Sequence, residues 1–213
     1  HPENDYFQAG VTWTRRTTSN FSVRALPKGC VFADKGPAAF PPEGGSVALL
    51  SLIAIMNSSP FEVLLRLQLG AATAAARSYE IGIIQRTPLP PLIKQVSKLS
   101  ALAREAHDQR RSARANDEVN HAFGIPGLAR NRDVETLGHA QQLLEAKHNA
   151  TDTRLMEIQT EIDKVVSNLY GMDEGDRALV HDEMSDTPAI ENKTDLTTRV
   201  EDLLMWCVGV AFG

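Results

Sequence analysis

A chain of 213 residues is long enough for one large domain or two small ones, each with a core of its own. Its 42% hydrophobic and 23% charged residues are ordinary for a soluble globular protein, and a net charge of −5 does not mark a uniformly basic nucleic-acid binder. The charge is polarised, however. Between Arg77 and Arg114 eight Lys/Arg face three acids, whereas between Glu157 and Asp202 thirteen acids face four bases, so a polyanion should meet the first half. Cys30 and Cys207 are too few for a disulfide framework, which favours a reducing cytosol. Val47 to Met56 is too short to cross a bilayer, so no membrane partner is expected. The absence of an initiator Met and the apolar close Cys-Val-Gly-Val-Ala-Phe-Gly suggest a piece of a larger protein.

In chain order, residues 1–45 hold short strand-like runs at Gly10–Thr14, Phe21–Ala25 and Cys30–Ala33. Turn residues punctuate them at Ser19-Asn20, Pro27-Lys28-Gly29 and Lys35-Gly36-Pro37. Ser46 can cap a helix carrying Val47, Leu50, Ile53 and Ala54. Ser59-Pro60-Phe61-Glu62 has the spacing of a capping box, with proline in the first turn of a second helix. Ile81, Ile83 and Ile84 predict a short buried strand, ended by Pro88, Pro90 and Pro91, which supply no backbone N–H. Past this hinge the apolar period becomes helical, predicting a helix from about Leu92 to Ala115 with a basic end at Arg110, Arg111 and Arg114. His121 to Arg130 reads as a linker. Val134, Leu137, Gln141, Leu144, His148, Thr151, Leu155, Ile158, Ile162, Val165 and Leu169 alternate spacings of three and four. That is a heptad seam whose polar middle suits either one long helix or two, with Gly171 as its C-cap. An acidic pair of short segments and a final apolar helix, around Leu196 to Val208, complete the chain.

No catalytic or metal constellation stands out. His107, His121, His139, His148 and His181 lack metal-ligand spacing, and neither standard glycine-rich phosphate loop is present. Gly44-Gly45-Ser46 follows prolines where a nucleophile elbow would follow a strand. Glu191-Asn192-Lys193 has the acid-x-Lys pattern of a nuclease site but no strand to carry it; a metal-dependent nuclease built on Glu191 and Lys193 is the weakest reading. What remains is a binding surface. Thr12, Trp13, Arg15, Arg16, Ser19, Asn20, Ser22, Arg24, Lys28 and Lys35 combine cations able to fork onto phosphate or guanine with polar side chains able to read base edges. Exposed turns around a core Trp and Phe are the plainer reading of the same residues.

The order of several short motifs points further. Tyr6-Phe7-x-x-Gly10-x-Thr12-Trp13, Phe21-Ser22-x-Arg24, Pro27-x-Gly29-x-x-Phe32 and Lys35-Gly36-Pro37 resemble the specificity region of large adenine-specific DNA methyltransferases. These are the type IIG restriction-methylation enzymes and the BREX phage-defence methyltransferases. Leu49-Leu50-x-Leu52-x-x-x-Met56-Asn57-Ser58 is similar to the helix that follows there. Thr87-Pro88-Leu89-Pro90-Pro91-Leu92-x-x-Gln95 resembles the strand-to-helix junction that closes a target recognition domain, also found in type I specificity subunits. His121-Ala122-Phe123-x-x-Pro126 and Val208-Gly209-x-Ala211-Phe212-Gly213 are similar to further stretches of the same enzymes.

The resemblance implies an α+β protein: a small mixed α/β target recognition domain over residues 1–92, then a mainly helical spacer over 93–213 with a long heptad-patterned helix. It implies double-stranded DNA as partner, read by the twelve residues Thr12, Trp13, Arg15, Arg16, Ser19, Asn20, Ser22, Arg24, Lys28, Lys35, Arg77 and Tyr79. The methylase motif, Asn or Asp before Pro-Pro-aromatic, which stacks and holds a flipped base, is missing from Leu89-Pro90-Pro91-Leu92 and from Phe40-Pro41-Pro42-Glu43. No catalytic residue is therefore expected in this stretch; S-adenosylmethionine and a catalytic domain belong to a parent enzyme of the bacterial cytoplasm, with which the chain would partner. The rival expectation is a protein–protein interaction module that uses the heptad helix and the acidic C-terminal segments, with a homodimer formed through the heptad helix.

Overall fold

The computed structural model describes residues 5–41, 45–69, 76–90, 96–130, 133–185 and 195–212. Among these the architecture is mixed α and β, with small antiparallel sheets near the N-terminus and helices after them. Two compact units divide the chain: residues 1–104 with 159–188, and residues 105–158 with 189–213. The expected border at 92/93 lies outside the described residues.

In the first unit, β1 (Gly10–Trp13) is the central strand of a three-stranded sheet. It pairs with β3 (Val23–Leu26) in the register Gly10↔Leu26 to Trp13↔Val23, and with β4 (Ala38–Ala39) through Val11↔Ala39 and Thr12↔Ala38. A second, two-stranded sheet joins β2 (Arg16–Thr17) to β5 (Arg77–Ser78). Gly10 allows the close approach of β4: a Cβ there would lie 2.7 Å from both the Ala39 carbonyl oxygen and Phe40 Cδ1. Cys30–Ala33 forms no strand; only the isolated bridge Ala33↔Gly36 appears in that loop.

The outer edge of β3 is closed by a side chain. Asn57 Oδ1 accepts from the Val23 N–H at 2.9 Å and Asn57 Nδ2 donates to the Val23 carbonyl at 3.1 Å, so a single amide acts as one more strand residue. Asn57 sits between α1 (Gly45–Met56) and α2 (Ser59–Arg66), and α1 packs on β3 and β1. The α2 cap is Ser58, one residue earlier than the capping-box spacing suggests: Ser58 has extended backbone and its Oγ accepts from the Phe61 N–H. Ser59 instead donates its N–H (2.9 Å) and Oγ–H (2.8 Å) to the two oxygens of Asp163.

The isoleucine run at 81–84 is not a strand. It forms α3 (Ile81–Arg86), none of whose residues is buried. Thr87 closes it by donating both its N–H and its Oγ–H to the Ile83 carbonyl, and Pro88 prevents continuation. Two long helices follow, α4 (Val96–Arg114) and α6 (Leu137–Tyr170), with the short α5 (Gly127–Arg130) between them where a linker was expected. From Leu137 onward the heptad stretch is one uninterrupted helix of 34 residues, with Val134 ahead of it. It ends in a Schellman motif: Gly171 adopts φ 71°, its N–H reaches the Asn168 carbonyl and the Met172 N–H reaches that of Ser167. The seam positions Gln141, Leu144, Thr151, Ile158, Ile162 and Val165 are buried within the chain itself. In the first unit α7 (Glu174–Ser185) packs on α2.

The second unit joins the end of α4, α5, the first part of α6 and α8 (Leu196–Phe212), which packs on α5. Arg154 clamps Glu105 through two hydrogen bonds of 2.6 and 3.0 Å and reaches Glu157 at 2.9 Å. These bonds hold the Glu105 carboxyl below the usual carboxylate range. No helix among the described residues is by itself long and apolar enough to cross a membrane.

Candidate nucleic-acid interface

The surface built by β1, β3 and the turns around them rests on an aromatic core. Phe21 lies 6.3 Å from Trp13, 6.1 Å from Phe61 and 5.0 Å from Tyr79, measured between ring centroids. Trp13 and Tyr79 are fully buried, and the indole Nε1–H donates to the Tyr79 carbonyl at 2.9 Å. Burial, reinforced by the Glu62 charge, pushes the Tyr79 hydroxyl above its ordinary range. Neither ring is available to a ligand: these two expected contact residues hold the surface up from beneath.

Strand alternation sorts the others. Thr12 and Arg24 are direct cross-strand partners, so they share the face of the sheet opposite the buried Trp13–Val23 pair. Thr12 is half-buried and its Oγ1–H donates to the Pro37 carbonyl at 2.9 Å. Arg24 is exposed, steadied by an Nη2–H bond of 2.8 Å to Thr14 Oγ1 on the same face. Arg16 is exposed on β2, and pairing with β5 brings half-buried Arg77 opposite Thr17, two cations that lie far apart in the sequence. Ser19, Ser22, Lys28 and Lys35 are all exposed in the connections between strands. Asn20 is half-buried, and its Oδ1 accepts from Arg66 Nη2 at 2.8 Å. Arg66 in turn holds Glu62, whose Oε1 accepts the Phe21 N–H. Asn20 therefore anchors its turn.

Arg15 is a special case. Its Nε donates to Glu80 at 2.9 Å and its Nη1 pairs with Asp34, which also meets Lys35 Nζ at 3.2 Å. Glu80 and Asp34 together hold the guanidinium above its ordinary range, and the Lys35 and Arg15 charges lower that of Asp34. With two carboxylates on it, Arg15 is a brace: its backbone N–H also binds the Lys35 carbonyl (3.2 Å) and its carbonyl accepts from Tyr79 N–H (2.6 Å). The sequence shows neither Asp34 nor Glu80 as a neutralising partner, because both pairings depend on the fold.

Of the twelve expected contact residues, Arg16, Arg24 and Lys28 are the cations that stay exposed without an ion pair among the described residues, and Ser19 and Ser22 are exposed hydroxyls of the same stretch. Such a set can bind phosphates through the cations and offer hydroxyls to base edges. No group of His, Cys, Asp and Glu among the described residues could hold a metal ion. Glu191 and Lys193 lie outside the described residues.

No family model matches the chain. Over 53 residues, 25% of its length, it is 42% identical to the adenine-specific methyltransferase BrxX of Escherichia coli O9:H4 (strain HS), of which the matched stretch covers 4%. The match supports a methyltransferase-related protein.

Proposed function

We propose that this chain is a DNA-reading segment of a site-specific adenine methyltransferase of the restriction-modification or phage-defence kind, and that it holds no catalytic residue itself. The observation that carries the reading is three exposed cations without an ion pair, Arg16 on β2, Arg24 on β3 and Lys28 on the turn after it, around a sheet packed on a buried aromatic core, in a chain related over a quarter of its length to an adenine-specific methyltransferase. The cations bind the phosphates of double-stranded DNA and set the affinity. Ser19, Ser22 and the forked Arg24 reach base edges and set the sequence, each good base contact being worth about 1–3 kcal/mol. S-adenosylmethionine and the methyl transfer belong to the catalytic domain of the complete enzyme, against which the helical region positions this surface.

Anisotropy titration of the whole chain on duplex DNA across a salt series tests the reading. Three phosphate-neutralising side chains contribute a slope of about 2.7 in log affinity against log salt. The triple variant Arg16→Ala, Arg24→Ala, Lys28→Ala should lose that much slope, and an unchanged slope would remove these residues from the interface. The rival homodimer is less well supported, because six of the eleven seam positions meant to pair two copies are already buried within one chain; light scattering that finds a salt-insensitive dimer indifferent to DNA would reinstate it.

A further inference from the structure

Phe7 stands out from every other aromatic residue in the first unit. It is the one non-glycine residue with positive φ among those described, at 66°, and its side chain is 59% exposed. The left-handed region is unfavourable for an L-residue, so a bulky side chain persists there only when its surroundings impose it. They do. The Phe7 N–H donates to the Cys30 carbonyl at 2.9 Å, and the Phe7 carbonyl accepts from the Gly29 N–H at 3.0 Å. Gly29, at φ 92°, is the third residue of a turn closed by Cys30 N–H to the Pro27 carbonyl, which puts exposed Lys28 at the turn's apex. Behind it, Tyr6 packs edge-on against Phe7 and Phe32 with centroids 6.4 and 5.2 Å away, and Phe32 meets Phe40 at 5.5 Å. The neighbouring rings Tyr6, Phe32 and Phe40 are thus half-buried against one another while Phe7, held edge-on to Tyr6, is mostly exposed, on a doubly bonded backbone, beside a cation.

We infer that Phe7 is a stacking wedge: its ring enters an opened base step of the duplex while Lys28 at the adjoining turn holds a phosphate. This rests on the DNA-reading proposal and deepens it. An exposed apolar ring has no use in phosphate contact, but it stacks on any base face, and rigid apolar side chains commonly enter unstacked steps. The strained backbone supplies the rigidity, since the ring is presented before the DNA arrives.

The experiment compares the full chain on two probes, a matched duplex pool of random sequence and the same pool carrying one central mismatch, where unstacking is already accomplished. Wild type should prefer the mismatched pool. Phe7→Ala should lose about 5- to 150-fold in affinity for it, the range of base–aromatic stacking, and with it the preference, whereas Phe7→Trp should keep both. Phe7→Gly separates function from folding: glycine suits φ 66°, so its melting temperature should equal or exceed that of Phe7→Ala while its DNA binding is equally poor. Retained preference in Phe7→Ala, or a wild type that binds both pools alike, overturns the wedge and leaves DNA reading standing. A wild type that binds neither pool overturns both.

Discussion

Asp163 offers the sharpest test of how the first unit is built. It lies on α6, and its carboxylate receives the Ser59 N–H at 2.9 Å, the Ser59 hydroxyl at 2.8 Å and Gln159 Nε2 at 3.0 Å, so it fastens the first turn of α2. Burial pushes its pKa up, and the two Ser59 bonds and the Gln159 bond oppose that shift. Replacement by Ala strands the Ser59 N–H and hydroxyl in a half-buried setting. Hydrogen bonds to a charged group contribute about 1.5–3 kcal/mol each, and desolvating the carboxylate takes back several kcal/mol of the sum over the three, so the net loss should be about 2–3 kcal/mol. Asp163→Asn keeps an acceptor for the Ser59 N–H and has no charge to bury, so it should cost under about 1 kcal/mol at neutral pH. The pH dependence has a definite sign. A carboxyl whose folded pKa is raised stabilises the fold fully below its unfolded pKa, and that contribution is lost as pH rises through the folded value. Wild type should therefore gain on Asp163→Asn as pH falls from 7 towards 4. Urea unfolding followed by the fluorescence of Trp13 in a Trp206→Phe background, at several pH values, measures this. An Ala variant within 0.5 kcal/mol of wild type, or a wild type that gains on Asn with rising pH, would refute the account.

Three other substitutions probe separate joints. Gly10→Ala should destabilise the sheet by about 1–3 kcal/mol, since the new methyl meets a main-chain carbonyl and the Phe40 ring; an unaffected unfolding midpoint would show that β4 can move aside. Asn57→Ala removes both partners of Val23 and should cost about 2 kcal/mol, read as faster hydrogen exchange at the Val23 amide. Gly171→Ala forces a Cβ into φ 71° and should cost about 1 kcal/mol in thermal unfolding, with α6 fraying at its end.

Local chemistry in the sequence is what the fold followed most closely. The strands at Gly10–Trp13 and Val23–Leu26 follow from alternation, and α6 follows from spacings of three and four that no strand can satisfy. The Ile81–Ile84 run misleads because Ile-x-Ile-Ile suits either period; Thr87 bonding back to Ile83 decides for the helix. The two-residue strands β2 and β5 leave no trace in composition, since each exists only by pairing with the other. The site shows the same division. Arg16, Arg24 and Lys28 were legible as exposed cations of turns and strand faces. The burial of Trp13 depends on a carbonyl 66 residues away, and the neutralisation of Arg15 on Glu80 65 residues away. The left-handed backbone of Phe7 comes from bonds to Gly29 and Cys30, which no local pattern around Phe7 announces.

The central claim is that this surface reads DNA sequence. Selection of duplexes retained by the whole chain from a random pool, followed by sequencing, tests it most directly. The account predicts enrichment of one discrete motif by wild type, which shifts or disappears when Arg16 and Arg24 are both changed to Ala. Retention without any enriched motif, or the same motif from the double variant, would contradict it.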